Sequence, residues 1–154
     1  MGDILLNFNI DDITKNNKLK YDGITGTYYK TKEEIQEKYE RLGIPFDFFH
    51  EPKTHPEMDK LENYLSEHNI NYNRGRYRDC FSDWDQILVY NDDRLVWDAV
   101  CHEYSYGYAQ GLIEIMDHCP KGLLTEDERE CDDVLGYLTA EDIIERLEAN
   151  NDEI

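Results

Sequence analysis

The strongest constraint on the fold is a stretch in the middle of the chain where apolar and polar residues alternate. Gln86-Ile-Leu-Val-Tyr90 and Leu95-Val-Trp-Asp-Ala-Val-Cys101 are separated by the turn residues Asn91-Asp-Asp93. Two such runs joined by a short polar turn predict a β-hairpin. Gly111–Met116 predicts a third strand, which follows a loop rich in tyrosine and glycine. The chain is therefore expected to build an antiparallel sheet.

Helical patterns flank this region on both sides. Thr31-Lys-Glu-Glu34 has the spacing of a helix capping box, and the apolar residues after it repeat at helical intervals over 32–42. A second helix is predicted over 56–69, and a last helix is predicted to begin at Thr139-Ala-Glu-Asp142. Together these elements predict an α+β fold, in which a small antiparallel β-meander packs with about three helices.

Three further segments complete the expected organisation. Ile4–Ile10 predicts a first strand, 15–30 predicts a loop or ragged hairpin, and 117–133 predicts an acidic loop. The chain has 154 residues, which is a usual length for one domain. A single domain is therefore expected over 1–154.

The charge of the chain is unevenly distributed. Residues 1–82 contain 15 acidic and 12 basic side chains, a net charge of −3. Residues 83–154 contain 20 acidic and 4 basic side chains, a net charge of −16. Self-repulsion of this size destabilises a compact fold, and solubility alone requires far less charge. The acidic C-terminal half, 83–154, is therefore expected to contain a partner-binding surface.

The last predicted helix contains a row of carboxylates at i, i+4 and i+7, namely Glu141, Glu145 and Glu148. Side chains at these spacings lie on one face of a helix. The predicted partner-binding residues are this row and the acidic residues before and beside it: Asp117, Glu126, Asp127, Glu128, Glu130, Asp132, Asp133, Glu141, Asp142, Glu145 and Glu148. The alternative interpretation is an ordinary solvated face.

Two segments resemble known proteins. Trp97-Asp-Ala-Val-Cys-His-Glu-Tyr-Ser-Tyr-Gly-Tyr-Ala-Gln-Gly-Leu-Ile-Glu-Ile-Met116 and Gly136-Tyr-Leu-Thr-Ala-Glu-Asp142 resemble small acidic proteins of phages and mobile elements in low-GC Gram-positive bacteria. In size and acidity the chain is similar to the anti-restriction and anti-CRISPR class. Members of that class often act stoichiometrically, some by occupying the DNA-binding groove of a nuclease. The class has no shared motif, so the resemblance assigns no role to any single residue.

The charge and the resemblance together predict a non-enzymatic inhibitor. Its expected partner is a basic nucleic-acid-binding host protein, a CRISPR or restriction nuclease, which it would bind through an acidic, DNA-mimicking surface. A net charge of −19 disfavours direct binding to DNA, and no segment predicts contact with a membrane. The alternative is a phage accessory protein whose acidity is tolerated and which has no salt-sensitive partner.

The cysteines support a different hypothesis, a small zinc-binding domain. Cys101, Cys119 and Cys131 would converge with a fourth ligand in a tetrahedral site. The paired spacing typical of zinc knuckles is absent, so buried small hydrophobes are the favoured interpretation, and no cofactor is predicted. His102-Glu-Tyr-Ser-Tyr106 lacks the second histidine of a zincin helix, and the sequence contains no P-loop or nucleophile elbow. No catalytic residue is predicted.

Two other clusters each have two interpretations. Arg74, Arg76 and Arg78 would share one face of a strand, where they either pair within the protein or contact a phosphate. Internal pairing is favoured because carboxylates are in surplus. The loop Ser105–Gly111 is equally typical of a binding loop and of a tight connection with glycines at positive φ.

The sequence also bears on the compartment. The N-terminal residues MGDILLNFNIDD are acidic and do not resemble a secretory signal. No apolar run approaches the roughly 18 residues of a membrane span. Reduced thiols and a cytoplasmic location, that of the bacterial host under the resemblance above, are therefore expected.

Overall fold

The computed structural model describes residues 20–78, 82–120 and 122–151. Within these ranges the chain has an α+β fold with a mostly antiparallel seven-stranded sheet and four α-helices, which confirms the predicted class. The strands are β1 (Lys20–Asp22), β2 (Thr27–Tyr29), β3 (Asn71–Arg78), β4 (Asp83–Asn91), β5 (Arg94–His102), β6 (Ile113–Asp117) and β7 (Val134–Leu138). The helices are α1 (Lys32–Leu42), α2 (Pro56–Glu67), α3 (Glu126–Cys131) and α4 (Ala140–Asn151). The strand order is β2-β1-β3-β4-β5-β6-β7.

The chain divides into two compact units. Of the described residues, the first comprises 20–54, 74–78 and 82–84, and the second comprises 55–73, 85–120 and 122–151. The boundaries at 73–74 and 84–85 fall inside β3 and β4, and the boundary at 54–55 directly precedes α2. The expectation of one domain over 1–154 stays a prediction.

The first unit is organised around the buried carboxylate of Asp22. This carboxylate accepts hydrogen bonds from the backbone N–H groups of Ile24 at 3.3 Å and Thr25 at 3.2 Å, which closes the turn between β1 and β2. The hydroxyls of Thr25 and Tyr39 donate to it at 2.7 and 2.9 Å. Because Tyr39 lies on α1, the carboxylate ties that helix to the turn.

Helix α1 has the limits that the sequence predicts. The hydroxyl of Thr31 accepts the N–H of Glu34 at 3.3 Å, as expected of an N-cap. The helix ends at Gly43, whose φ of +70° is natural for glycine in a C-cap. Its buried residues Ile35 and Tyr39 pack with Tyr29 of β2 in a largely aromatic cluster.

The second unit has the larger apolar core. Helices α2 and α4 pack together, and Glu57 of α2 accepts the N–H of Ala140, the first residue of α4, at 2.9 Å. Full burial of one Leu, Ile or Met side chain contributes roughly 1.5–3 kcal/mol to stability. The largest fully buried apolar side chains of this unit are Met58, Leu61, Leu65, Ile87, Ile113, Ile115 and Ile143.

The predicted hairpin, third strand and last helix are all present, as β4–β5, β6 and α4. The segment 15–30 contains the hairpin β1–β2, and the strand predicted at Ile4–Ile10 lies outside the described residues. The prediction of a loop throughout 117–133 is wrong because α3 begins there. None of the helices within the described ranges is long and apolar enough to cross a membrane.

Strand β7 was also not predicted. Tyr137 in this strand has a φ of +59°, which is unusual for a residue other than glycine. The pairing with β6 shifts register between Ile113 and Ile115, where β7 contains an extra residue. The resulting bulge interrupts the alternation from which a strand is recognised.

Candidate partner-binding surface

The segment between β6 and α3 is fixed by the carboxylate of Asp117. Its Oδ1 accepts the N–H of Leu123 at 2.7 Å, and its Oδ2 accepts the N–H of Leu124 at 3.0 Å. A Cβ on Gly122 would lie 2.1 Å from the carboxylate carbon, so only glycine lets the loop close around it. The side chain of Asp117 is 4% exposed. Asp117, predicted as a partner-binding residue, is therefore enclosed by its own loop.

Arg129 of α3 supplies the cation for this buried carboxylate. Its Nε donates to Asp117 Oδ2 at 3.2 Å. Its other nitrogens donate to the backbone carbonyls of Pro120 and of Leu124, the latter at 2.9 Å. A single guanidinium thus neutralises the carboxylate and fixes both ends of the loop that surrounds it.

Arg146 of α4 joins α4 to α3 through Glu128. Its Nη1 and Nη2 donate to Oε1 and Oε2 of Glu128, each at 2.7 Å. Nη1 also donates to the carbonyl of Leu123 at 2.9 Å. The hydrogen bonds from Arg146 lower the pKa of Glu128 from 4.5 to about 2, against the opposing effect of burial. A two-pronged, charge-assisted pair of this kind is among the stronger polar contacts in proteins.

Both helices of this region begin with a capping box. In α3 the Thr125 hydroxyl accepts the N–H of Glu128 at 3.2 Å, and the Glu128 carboxylate accepts the N–H of Thr125 at 2.8 Å. In α4 the same exchange joins Thr139 and Asp142, at 3.1 and 2.9 Å, as the sequence predicts. Carboxylates in the first turn also interact favourably with the helix dipole. The acidic first turns therefore stabilise the two helices on which they lie.

Nine of the eleven predicted partner-binding residues are exposed. Helices α3 and α4 both contact β7, and Arg146 joins them directly, so these nine residues lie on connected elements. We refer to them as the acidic surface: Glu126, Asp127, Glu130, Asp132, Asp133, Glu141, Asp142, Glu145 and Glu148. The other two, Asp117 and Glu128, are the carboxylates that the arginines hold.

The arginines of α3 and α4 pair chiefly with carboxylates outside the acidic surface. The side chains of Arg129 and Arg146 are 30% and 26% exposed, and each is matched by one carboxylate that lies outside the exposed set. Neither helix contains another basic residue. Glu128 chiefly, and Asp142 as well, raise the pKa of the Arg146 guanidinium, so Asp142 is a member of the acidic surface whose charge is partly offset.

The loop between β5 and β6 has a defined conformation. The hydroxyl of Ser105 accepts the N–H of His102 at 3.0 Å and donates to its carbonyl at 2.8 Å. Gly107 and Gly111 have φ values of +100° and +73°, as the interpretation of a tight connection predicts. The same loop exposes Tyr104 and Tyr106, so it also keeps the composition of a binding loop.

The cysteines proposed for a zinc site do not form one in the part of the chain that the structure describes. Cys101 is buried, with its Sγ 3.4 Å from Nδ1 of His55. Cys119 is partly exposed in the turn after β6, and Cys131 is exposed at the end of α3. Within 20–78, 82–120 and 122–151, no group of three or more His, Cys, Asp or Glu side chains is placed to hold a metal ion.

The arginines of β3 make contacts within the protein. Arg76 Nη2 donates to the carbonyl of Lys53 at 2.6 Å, and Arg78 Nη1 donates to the carbonyl of Glu51 at 3.5 Å. Arg74 is buried. These two contacts are internal, and their acceptors are backbone carbonyls of the segment before α2. Pairing of the three arginines with carboxylates stays a prediction.

Sequence reasoning missed the roles of Arg129, Arg146 and Tyr137. The capping sequence Thr125-Glu-Asp-Glu128 was an available signal for α3, and therefore for a helix that presents Arg129 to Asp117. The contacts of Arg146 and the conformation of Tyr137 depend on tertiary structure, and no local sequence pattern predicts them.

Comparisons with known proteins add no family to this description. No family model matches the chain. No curated protein and no solved structure matches it either. The geometry and charge of the acidic surface are therefore the basis for a proposed function.

Proposed function

We propose that this protein is a non-enzymatic inhibitor that binds a basic, nucleic-acid-binding host protein through the acidic surface. The expected target class is a defence nuclease of the restriction or CRISPR type, in line with the resemblance in size and acidity to anti-restriction and anti-CRISPR proteins. The inhibitor would occupy the groove that otherwise receives nucleic acid, with one copy bound for each target molecule.

One observation supports this proposal above the others. The arginines of α3 and α4 are held against Asp117 and Glu128, while nine carboxylates of the same region are exposed. A surface that only had to be soluble would gain stability from exposed cations between its carboxylates. The separation of the two charges instead produces a strong local negative potential, which is what a basic groove attracts.

The spacing of the carboxylates fits such a groove. Glu141, Glu145 and Glu148 follow one another along α4, and neighbours on such a row lie about 5–6 Å apart. Nucleic-acid-binding grooves hold lysines and arginines that contact successive phosphates. Exposed carboxylates on a rigid helix can take the place of those phosphates, and the association would weaken as salt screens the charges over about 10 Å at 0.1 M.

Affinity capture with matched charge variants tests the proposal. The test variant carries Glu141→Lys, Glu145→Lys and Glu148→Lys. The control carries Glu33→Lys, Glu37→Lys and Glu40→Lys, which reverses three exposed glutamates at the same i, i+4, i+7 spacing on α1. Immobilised proteins are exposed to lysate of a Gram-positive bacterium that contains restriction and CRISPR nucleases, and bound proteins are eluted with rising salt and identified by mass spectrometry.

The unmodified protein and the α1 variant are expected to retain a nucleic-acid-binding protein that salt or added DNA releases. The α4 variant is expected to lose it. The same set of proteins on all three matrices, or no salt-sensitive protein on any, would refute the proposal. The exposed carboxylates would then only keep the surface solvated, as expected of an accessory protein with no salt-sensitive partner.

A further inference from the structure

Three tyrosines of the second unit are exposed to a degree unusual for aromatic residues. Tyr104, Tyr106 and Tyr137 are 86%, 51% and 59% exposed. Tyr104 and Tyr106 lie on the loop between β5 and β6, and Tyr137 lies on β7. Exposed aromatic residues that cluster on a folded protein commonly mark an interaction surface.

The rings of Tyr106 and Tyr137 form one feature. Their centroids are 6.4 Å apart and their planes differ by 21°. Aromatic pairs span about 4.5–7 Å between centroids, so this pair is near the open end of the range. The two rings therefore gain little from one another and keep large areas exposed.

The backbone beneath these rings is held tightly. Tyr137 N–H donates to the carbonyl of Tyr106 at 3.1 Å, and Tyr106 N–H donates to the carboxylate of Glu114 at 2.7 Å. A Cβ on Gly136 would lie 2.2 Å from Cβ of Tyr106, and one on Gly107 would lie 3.0 Å from Cα of Tyr137. Two glycines thus allow the loop and β7 to approach until the two tyrosines stand side by side.

Tyr137 has this position despite a conformational cost. Its φ of +59° places a bulky side chain in the left-handed region, where glycine or asparagine is more stable. Its ring is mostly in solvent, so packing offers little compensation. Strained residues concentrate at binding and active sites, which makes Tyr137 a candidate for contact with a ligand.

The charge of the surroundings indicates what the rings bind. Strand β7 connects the two helices of the acidic surface, and Asp133 and Glu141 each lie four residues from Tyr137 along the chain. A cation is attracted to the face of a tyrosine ring. Arginine suits this position better than lysine because its planar, weakly hydrated guanidinium stacks on aromatic rings and pairs with carboxylates.

We propose that Tyr106 and Tyr137 form an arginine-binding anchor, in which a guanidinium of the basic partner stacks on the rings within the negative potential of the acidic surface. This inference rests on the proposed function, because it assigns to the proposed partner an arginine that these two rings contact in preference to a lysine. The carboxylates would supply long-range attraction, and the tyrosines would supply the preference for one cation over the other.

Two fluorescent peptides of equal charge, nona-arginine and nona-lysine, serve as probes of the full-length protein in fluorescence anisotropy titrations at two salt concentrations. The test variant is Tyr106→Ala with Tyr137→Asn. Alanine keeps the Cβ that lies against Gly136, and asparagine tolerates the left-handed conformation, so the variant is expected to fold. Phe48→Ala, which removes an exposed aromatic residue of the first unit, is the matched control. Circular dichroism checks that all three proteins are folded.

Both peptides are expected to bind the unmodified protein in a salt-sensitive manner, with nona-arginine at least about threefold tighter. The double variant should lose that preference and bind both peptides as nona-lysine binds the unmodified protein, whereas Phe48→Ala should change neither affinity. Equal binding of the two peptides, or a preference that persists in the double variant, would overturn the anchor but leave the proposed function intact. Failure of both peptides to bind would overturn both.

Discussion

Two buried carboxylates organise the two units in different ways. In the first unit, Asp22 accepts hydrogen bonds from backbone N–H groups and from the hydroxyls of Thr25 and Tyr39, all of them neutral donors. In the second unit, Asp117 also accepts two backbone N–H groups, but its third donor is the guanidinium of Arg129. Among the residues that the structure describes, a turn is thus closed around a carboxylate by neutral donors in one place and with a cation in the other.

This difference affects what each unit presents to solvent. Helix α1 of the first unit exposes Lys32 and Arg41 together with its glutamates. Helices α3 and α4 each contain one arginine, and both arginines are engaged with partly or fully enclosed carboxylates. The acidic surface is therefore a consequence of internal hydrogen bonding as well as of composition. Net charge alone would not reveal which face is acidic.

The largest expected effect comes from the same substitution at the two carboxylates. Asp117→Asn should lower the free energy of unfolding by about 2–3 kcal/mol, because its new amide N–H groups would face only N–H donors. Asp22→Asn should cost less, about 1–2 kcal/mol. The amide leaves one backbone N–H without its acceptor, but the hydroxyl oxygen of Thr25 or Tyr39 can accept from it. Urea unfolding followed by circular dichroism measures both. Equal losses in the free energy of unfolding would show that the cationic donor at Asp117 and the hydroxyl donors at Asp22 do not lead to different costs.

The second prediction concerns the bridge between α3 and α4. Arg146→Gln should raise the pKa of Glu128 from about 2 toward its ordinary value of 4.5, although the N–H of Thr125 still holds it below that value. The lost charge-assisted hydrogen bonds should reduce the free energy of unfolding at neutral pH by about 1–2 kcal/mol. Carboxyl carbon chemical shifts of Glu128, followed by NMR through an acid titration, measure the pKa directly.

The acid dependence of stability gives an independent check on this bridge. A carboxyl whose pKa is lower in the folded state stabilises the protein above its unfolded pKa and loses that contribution as pH falls. For Glu128 the loss falls between about pH 4.5 and pH 2. The Arg146→Gln variant should lose less stability than the unmodified protein over this window. Parallel acid curves for the two proteins would contradict the role assigned to the bridge.

The smallest expected effect concerns charge repulsion, which should be stronger on the exposed face of α4 than on that of α1. Changing Glu141, Glu145 and Glu148 to glutamine should raise the free energy of unfolding by up to about 0.5 kcal/mol at low salt. Relief of repulsion along this helix face should outweigh the lost interaction of Glu141 in the first turn with the helix dipole. The gain should disappear near 1 M salt, where screening acts over about 3 Å. The matched change of Glu33, Glu37 and Glu40 should have an effect close to zero, because basic residues of α1 offset its glutamates. Thermal unfolding at both salt concentrations compares the two variants. A similar gain in stability in the α1 variant and the α4 variant would show that repulsion does not differ between the two helix faces.

The sequence was sufficient for elements with strong local signals. Helix α1 was predicted with the limits it has, because Thr31 caps one end and Gly43 the other. The hairpin β4–β5 was predicted because apolar residues alternate on both sides of a polar turn. Helix α3 was missed because its six residues include no apolar repeat, and only its capping box distinguishes it from a loop. Strand β7 was missed because the bulge at Gly136 and Tyr137 removes the alternation.

The candidate surface was predicted in part. Composition identified the carboxylates of the C-terminal half, and nine of those eleven residues are exposed. It could not separate Asp117 and Glu128 from the rest, because their enclosure depends on arginines that lie 12 and 18 residues away in the sequence. The tyrosine pair could not be predicted from the sequence either, because Tyr106 and Tyr137 meet only where a loop approaches an edge strand.

The two glycines beneath the tyrosine pair have a consequence for how this sequence can vary. A long-range electrostatic attraction tolerates the movement of a charge by one position, or the exchange of Asp for Glu, so the acidic surface can change by small steps. Gly107 and Gly136 have no such freedom, because any side chain there would force the loop and β7 apart. Among descendants of one ancestor, we expect the carboxylates to be replaced freely while these two glycines persist together. The presence of both glycines in a distantly related sequence would then be better evidence of common ancestry than the acidity of that sequence.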